Sequence, residues 1–436
     1  MRKNRPSKFR SAPLGLLFLH PLAAALSRQR YLHRNTSSSF SKLPQSNPIS
    51  PIPWRPPRLG GSILFTFTMP APYVPKIMLV GVVPPPVHGQ SIATKALFDA
   101  DLSPLKKVIV EIRSSKTLTS VGRFSLSKAL GLFPLVGRTW LGWLRHRPRV
   151  LYYTAGSGAW VPFFRDFIFL ALCRPLFSKV LIHYHAGNLV EFLAASRFRS
   201  TLGRFTYGRG AWTIRLGKHC PAPVYPGNEV FDIPNGIDAP ADLSKRPPST
   251  SFRILFLGNL FEDKGVIDLI DAVHALASKN STPITLSLVG GWPDDAARLK
   301  IEQRLASLPT HVTCPAPTPA FGEEKWKALA SHDVFAFPSY YRSENLPLVI
   351  IEAMAAGLPV IASDWRGIRS LVENRVTGLL VPPRDIPRLT DALESLAQNP
   401  ALRASMEKNA RTYYQKHLTA CRHINSMRNL MLSAAR

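Results

Sequence analysis

SENLPLVIIEAMAAGLPVIAS, residues 343–363, carries two glutamates, Glu344 and Glu352, with seven residues between them at the start of an apolar segment. Just upstream, DVFAFP (333–338) is the short apolar run of a buried strand and SYYRSEN (339–345) is a polar loop. Pro347 suits a first helical turn, where its missing N–H forfeits no bond, and Gly357 suits the helix end. Strand, loop, helix and strand in this order form the repeating unit of a parallel sheet. Such a unit turns the unpaired N–H groups near residues 345–349 toward the crevice above the strand ends, where phosphates bind. Glu352 lies deeper, among Val349, Ile350, Ile351, Ala353 and Met354. A carboxylate there needs a partner, because leaving it unsatisfied costs about 1–3 kcal/mol or more. A ribose diol offers bonds to both of its oxygens; the plainer reading puts Glu352 on a solvent-facing helix surface, the usual place for glutamate.

The same alternation continues outward. KIMLVGVV (76–83), KKVIVEI (106–112), RVLYYT (149–154) and KVLIHYH (179–185) are strand-like runs separated by helical stretches. A second series runs from Arg253 to about Lys408, after the Pro- and Ser-containing segment APADLSKRPPSTS (239–251). A chain of 436 residues accommodates two domains, each with its own core. Two doubly wound sheets leave a cleft between their strand ends, where ligands meet. The loop PPPVHGQSIAT (84–94) feeds a helix expected from about Ser91, and its Gly89 admits either a ligand close to the backbone or a simple turn.

The net charge of +28 is unevenly spread: residues 1–68 hold 11 Lys and Arg and no acid, residues 69–240 hold 21 basic and 8 acidic residues, and the remainder is nearly balanced. A basic first half predicts an anionic acceptor or an anionic membrane face. No zinc finger or recognition-helix signature occurs, so nucleic acid is not an expected partner. Residues 126–149, LSKALGLFPLVGRTWLGWLRHRPR, mix aromatic and apolar residues with five Lys and Arg and no acid. That describes either a helix resting on anionic lipid or a core helix with a basic exposed end. VPFFRDFIFLALC (161–173) is apolar around most of its circumference and is expected to be a buried helix. No uncharged apolar run reaches 18 residues, so no spanning helix is expected. Cys173, Cys220, Cys314 and Cys421 are widely spaced, without CxxC pairs or histidine neighbours, and read as reduced cytosolic thiols. Residues 1–68 are expected to lie outside the fold, either as a targeting segment or as an over-extended start ahead of Met69.

Several further segments complete an ordered set: FRILFLGNLFEDKGVIDLIDAV (252–273), LSLVGGW (286–292), FPSYYRSE (337–344), EAMAAGLPVIASDWRGI (352–368), VTGLLVPPRD (376–385) and, upstream, IPNGID (233–238). Together with the opening stretch, they resemble the EX7E region and flanking signatures of the retaining GT-B glycosyltransferases of the glycosyl transferase group 1 family. The resemblance runs from about Lys76 to the C-terminus and is strongest in the second half. It implies a GT-B fold: two Rossmann-like doubly wound parallel-sheet domains facing an interdomain cleft. The implied organisation is an acceptor domain at 69–238, a linker at 239–251, a nucleotide-sugar donor domain at 252–408, and a helical tail at 409–436 packing back on the first domain.

The family also implies roles for single residues. Lys264 is expected beside the donor diphosphate, as a point charge where negative charge grows when the sugar bond breaks; the competing reading is a solvated lysine at a helix start. Glu344 is expected at the donor sugar's hydroxyls and Glu352 at its ribose. Gly258 turns the chain after a strand, and Asn259 stands where many relatives carry an arginine, which removes one phosphate partner. Asn345, Leu346, Pro347 and Leu348 form the turn whose amides face sugar and phosphate, and the loop with Gly89 is a further expected donor-binding segment. Relatives often have Gly and Phe at the first two of these positions, and Asn345 is expected to tolerate unusual backbone angles there. His185 is expected beside the reacting sugar, with His183 on the same strand face as its competitor. The catalytic set is thus His185, Lys264 and Glu344.

No DxD motif occurs, so no metal and no cofactor are expected, helix dipole and lysine taking the cation's place. The implied activity is transfer of a hexose-type sugar, with retention, from a nucleoside diphosphate sugar to a glycan or lipid-linked acceptor. The implied setting is bacterial envelope polysaccharide or glycolipid assembly, in the cytoplasm and peripheral on the inner face of its membrane. Two rivals follow from the same pattern. One is a degenerate, scaffolding relative, motivated by Asn259 and the ENLP turn. The other is a dinucleotide-dependent oxidoreductase, which the missing GxGxxG after the strands at Lys76 and Arg253 disfavours.

Overall fold

A computed structural model describes residues 74–112, 131–241, 243 and 247–436. The first half runs β1 (Lys76–Val82), α1 (Gly89–Asp99), β2 (Lys106–Ile112), α2 (Leu132–His146), β3 (Val150–Thr154), α3 (Trp160–Cys173), β4 (Lys179–Tyr184), α4 (Leu189–Ala194), α5 (Arg197–Tyr207), β5 (Trp212–Arg215) and β6 (Glu229–Asp232). Its strands form one parallel sheet in the order β2-β1-β3-β4-β5-β6. The period-two alternation of β1 divides its apolar side chains between two layers. Met78 and Val80 enter a core with Leu135 of α2, Phe163 and Phe169 of α3 and Tyr207 of α5. Ile77 and Leu79 enter a core on the opposite face, with Leu97 and Phe98 of α1 and three residues of the C-terminal tail, Met427, Leu430 and Met431.

The second half repeats the plan with β7 (Phe252–Leu257), α6 (Val266–Lys279), β8 (Ile284–Val289), α7 (Asp295–Ala306), β9 (Val312–Thr313), α8 (Gly322–Ser331), β10 (Val334–Phe337), α9 (Leu348–Ala355), β11 (Val360–Ser363), β12 (Gly378–Val381), α10 (Ile386–Gln398) and α11 (Pro400–His417). The strand order β12-β11-β10-β7-β8-β9 is again wholly parallel. The chain therefore has a GT-B fold, two parallel-sheet α/β domains.

Two expectations need correction. The tail does not cross back from Asn409. Residues 409–417 continue α11, which packs on α9 through Met406, Ala410 and Tyr414, spaced four apart and buried in the second core. The crossover is Leu418–Thr419: Ile237 N donates to Leu418 O at 3.1 Å and Ala420 N to Ile237 O at 3.0 Å, so the tail runs beside the IPNGID segment. Only α12 (Ala420–Ala435) reaches the first sheet. The other correction concerns α3, which is not buried all round. It places Phe163, Asp166, Phe169, Leu170 and Cys173 inside, while Trp160, Phe164, Ile168 and Leu172 are exposed. In the interfacial candidate 126–149, residues 126–130 lie outside the described residues, and α2 begins at Leu132. All four cysteines are free thiols, and no described helix is long and apolar enough to cross a membrane.

Candidate functional site

β7 ends at Leu257, and Gly258 follows with φ 149°, a region that favours glycine. Its N–H donates to Val289 O at 2.9 Å, which holds the loop beside the end of β8, and exposed Asn259 stands next to Gly291. A short 3-10 turn, Glu262–Lys264, ends at Gly265, which has φ 79° and leaves no room for a side chain: a Cβ there would lie 2.2 Å from Pro338 O. Because that turn is pinned to the end of β10, with Tyr340 N also donating to Asp263 O at 2.9 Å, Lys264 is carried to the polar loop before α9. Its Nζ lies 2.5 Å from a Glu344 carboxylate oxygen and above the Tyr341 ring at 4.7 Å. Ser339 donates to the same Glu344 oxygen at 3.0 Å. The pair is largely buried, with side-chain exposures of 16% for Lys264 and 9% for Glu344.

α9 starts at Leu348, with Pro347 as its cap rather than in its first turn, and ends at Ala355 before Gly357 at φ 75°. Leu346, Pro347 and Glu352 are buried. Glu352 already has a partner on the protein: Lys325 of α8 places its Nζ 2.6 Å from one carboxylate oxygen. Burial pushes the Glu352 carboxyl above its ordinary value, and the Lys325 ammonium pulls it part of the way back. The plainer reading of a solvent-facing Glu352 is thereby corrected, and the partner expected for its carboxylate is, for one oxygen, Lys325. Nothing in the sequence reading pointed to Lys325, although Leu329, one turn further along α8, is fully buried and marks that helix face as the inner one.

The facing wall comes from the first domain. Gly89 opens α1, two residues earlier than expected, with His88 as its cap, and a Cβ on Gly89 would point at Leu348 Cδ1 and Cγ, each 3.9 Å away. β4 ends at Tyr184, so His185 is the first residue beyond the strand. His183 and His185 share a strand face, their ring centroids 4.1 Å apart, but their surroundings separate them. His183 is 1% exposed, with Nδ1 2.8 Å from Tyr152 Oη. His185 keeps some exposure, while its Nε2 is buried and makes no hydrogen bond among the described residues. Burial, then the charges that nearby His423 and His88 would carry, hold His185 down to about 3, so its imidazole is neutral at ordinary pH.

The two walls touch at this point. Gly187 N donates to Ser343 O at 3.2 Å, and a Cβ on Gly187 would fall 2.1 Å from Glu344 O. Asn345 Nδ2 donates to Tyr184 O at 3.3 Å. Asn345 is not among the described non-glycine residues with positive φ, so its use here is this bond between domains and not backbone tolerance. Arg366, beyond β11, donates to Gly187 O and lies 2.5 Å from Glu191 of α4. Asn188 exchanges hydrogen bonds with Gly158, which steadies the His185 loop from behind. Lys264, Glu344, Asn345 and the His185–Gly187 loop therefore meet, Gly89 and Leu348 face each other, Glu352 with Lys325 sits one turn deeper along α9, and Asn259 stands apart in the loop beside β8. Arg366 and Asn188 were missed because their partners are distant in sequence, and Ser339 because a serine in a polar loop gives no sign that it turns inward to a glutamate five residues on.

Residues 242–413 match the family described as Glycosyl transferases group 1. The phosphatidyl-myo-inositol mannosyltransferase of Mycobacterium leprae is 32% identical over 183 residues, 41% of this chain and 46% of the relative, so the match spans less than half of that protein's length. Sucrose-phosphate synthase from Thermosynechococcus elongatus superposes with a TM-score of 0.63 at 21% identity, covering 83% of this chain and 100% of that one. The Anabaena HepE structure in complex with UDP superposes with a TM-score of 0.60 at 18% identity, over 82% and 100% of the respective chains.

Proposed function

Because residues 242–413 match the glycosyl transferases group 1 family, we propose that the chain is a transferase of that family which moves a hexose-type sugar from a nucleoside diphosphate sugar to a glycan or lipid-linked acceptor, retaining the anomeric configuration. The observation that carries this reading is the Lys264–Glu344 pair, 2.5 Å apart, at the tip of α9 and against the His185–Gly187 loop. The N-terminal ends of α1 and α9 face the same gap, through Gly89 and Leu348, and both supply unpaired N–H groups suited to a diphosphate.

In the proposed reaction the acceptor oxygen bonds to the anomeric carbon on the face from which the leaving group departs, while the bond from that carbon to the diphosphate oxygen breaks. The departing phosphate oxygen takes the acceptor's proton, so no protein base is required. Lys264 offsets the charge that grows on the diphosphate, with Glu344 holding its ammonium in place and accepting from sugar hydroxyls. Neutral His185 has a free Nε2 for a sugar hydroxyl, and Glu352 binds the ribose with the oxygen that Lys325 leaves. No metal is needed in this scheme. UDP in the HepE structure supports a uridine donor, and the lipid named in the mycobacterial relative supports a lipid-linked acceptor and, with it, a role in envelope polysaccharide or glycolipid assembly.

The test is turnover of a panel of UDP and GDP sugars by the wild type, Lys264→Ala and Glu352→Gln. Loss of one preorganised charge lowers the rate by about 100- to 1,000-fold, and Glu352→Gln raises the donor KM. Unchanged turnover in both variants overturns the assignment. Donor binding without transfer or hydrolysis in the wild type supports the scaffolding rival.

A further inference from the structure

We propose that the outer face of α2, α3 and α5 docks on an anionic lipid bilayer. α3 exposes Trp160, Phe164, Ile168 and Leu172, one residue every four, along its whole length. Its other side is packed in the core, and the described residues leave the stripe only partly covered: Trp160 meets Phe192 at 5.2 Å and carries Arg199 over its ring, yet it and the other three stay exposed. α2 packs beside α3 and exposes Phe133 (73%) and Leu141 (67%); α5 packs on the other side and exposes Phe198 (64%), with Phe205 ringing against Phe167 of α3 at 5.7 Å. Scattered exposed apolar residues are ordinary, but a contiguous strip across three neighbouring helices marks an interaction surface.

Charge selects the occupant. Residues 131–149 and 197–209 contain no Asp or Glu. Exposed Arg138, Arg145 and Arg147 on one flank and Arg197, Arg204 and Arg209 on the other border the strip. Arginines lie over its aromatic rings, Arg147 over Trp143 at 4.2 Å and Arg209 over Phe205 at 5.0 Å. The neighbouring acids are otherwise engaged: Asp166 is buried with Tyr153 and Tyr207, Glu191 pairs with Arg366, and Glu111 lies on the edge strand β2, whose carbonyl Arg138 approaches at 3.5 Å. Apolar and aromatic side chains framed by guanidinium groups match the acyl boundary and the anionic headgroups of a bilayer.

Topology adds a consequence. α2, α3 and α5 lie on crossovers between parallel strands and so begin near the strands' C-terminal ends, the end that faces the cleft. Phe133, Trp160 and Phe198 lie in or beside the first turns of these helices, so the strip starts at the rim of the cleft. A bilayer on this face brings a lipid-anchored acceptor to the domain that must receive it. That last step rests on the transferase reading; the docking itself does not.

The experiment is co-sedimentation of the full chain with vesicles of phosphatidylcholine alone or mixed with phosphatidylglycerol, at low and high salt. The wild type is compared with the combined variant Phe133→Ser, Leu141→Ser, Phe164→Ser, with melting and light scattering in parallel. We expect binding to anionic vesicles that partly survives high salt, a loss of about tenfold or more in the variant, and unchanged melting. Brominated lipids are expected to quench Trp140, which is exposed on α2, and Trp140→Phe to remove that part of the quenching. Equal binding by wild type and variant, abolished by salt, would assign attachment to the basic residues 1–68 and overturn the proposal. A wild-type dimer that the variant dissolves, with vesicle binding unchanged, would make the face a contact between copies. Vesicle binding with no sugar transfer leaves this inference standing and removes only the transferase reading.

Discussion

Lys325→Met keeps the stem of the lysine and deletes its ammonium, which isolates what that charge does for Glu352. The two side chains are 23% and 12% exposed and their charged atoms are 2.6 Å apart. Removing one member of a buried pair costs about 3–5 kcal/mol; the partial exposure of Lys325 brings the expected loss to about 2–3 kcal/mol, or about 4–12 °C in melting temperature at 2–4 °C per kcal/mol. The pH dependence carries the stronger signature. Burial raises the Glu352 carboxyl in the folded state and Lys325 is what lowers it, so the variant raises it further above the unfolded value of 4.5. Between those two values the folded chain holds a proton that the unfolded chain has released, and stability therefore falls as pH rises. The deficit should be largest at neutral to alkaline pH and shrink on acidification, as Glu352 takes up its proton. Glu352→Gln combined with Lys325→Met should recover most of the loss, a coupling of about 1–3 kcal/mol. Thermal melts of the four proteins across pH measure this directly. A deficit that grows on acidification, or a double variant no better than Lys325→Met, would show that the ammonium is not what keeps Glu352 charged.

Gly265→Ala should destabilise the second domain by about 1–3 kcal/mol through overpacking, more with the strain of a non-glycine at φ 79°, and a wild-type melt would contradict the contact with Pro338 O. For pH, His185 is held at about 3 against an ordinary 6.5 by burial, and His183 and His423 are lowered as well, also chiefly by burial. Below pH 6.5 the unfolded chain takes up protons that the folded chain refuses. Stability should fall on acidification from 6.5 toward 3, by about 1.4 kcal/mol per pH unit for each histidine that stays neutral. His185→Gln should flatten the slope, and a slope equal to wild type would refute the burial reading. Any acid limb that the rate profile shows near pH 6 should persist in His185→Gln, since that imidazole does not titrate there.

Much of the fold was legible because strands such as KIMLVGVV and VFAF are short apolar runs at regular intervals, and because the glutamate, proline and glycine of residues 344–357 punctuate a single strand-helix-strand unit. α3 was misread for a physical reason. Thirteen residues with only Arg165 and Asp166 charged give no contrast between faces, and only the packing of Phe163 and Phe169 against the sheet decides that Phe164 and Ile168 look outward. The tail was misplaced because α11 is a continuous amphipathic helix up to His417, and the turn at Leu418 is set by its bond to Ile237, 181 residues away. Lys325 escaped because a lysine in a charged helix is normally solvated.

The contact between domains left a trace in two glycines that no turn explains. Neither Gly89 nor Gly187 is among the described glycines with positive φ, so backbone freedom is not what either position requires. Each faces the opposite wall, and they differ in the space available. A Cβ at Gly187 would lie 2.1 Å from Glu344 O, a distance that forces the loops apart, whereas one at Gly89 would meet Leu348 at an ordinary 3.9 Å. Gly187→Ala should therefore separate His185 from Glu344 and lower transfer about 100-fold, the usual effect of a displacement of about 1 Å at the reacting groups, with each domain's melting retained. Gly89→Ala should leave both melting and the domain contact intact, so that any rise in donor KM reports a ligand occupying the space its hydrogen now leaves. Wild-type transfer by Gly187→Ala would mean that the walls need not meet for the reaction, and the site would have to be assigned to the second domain alone.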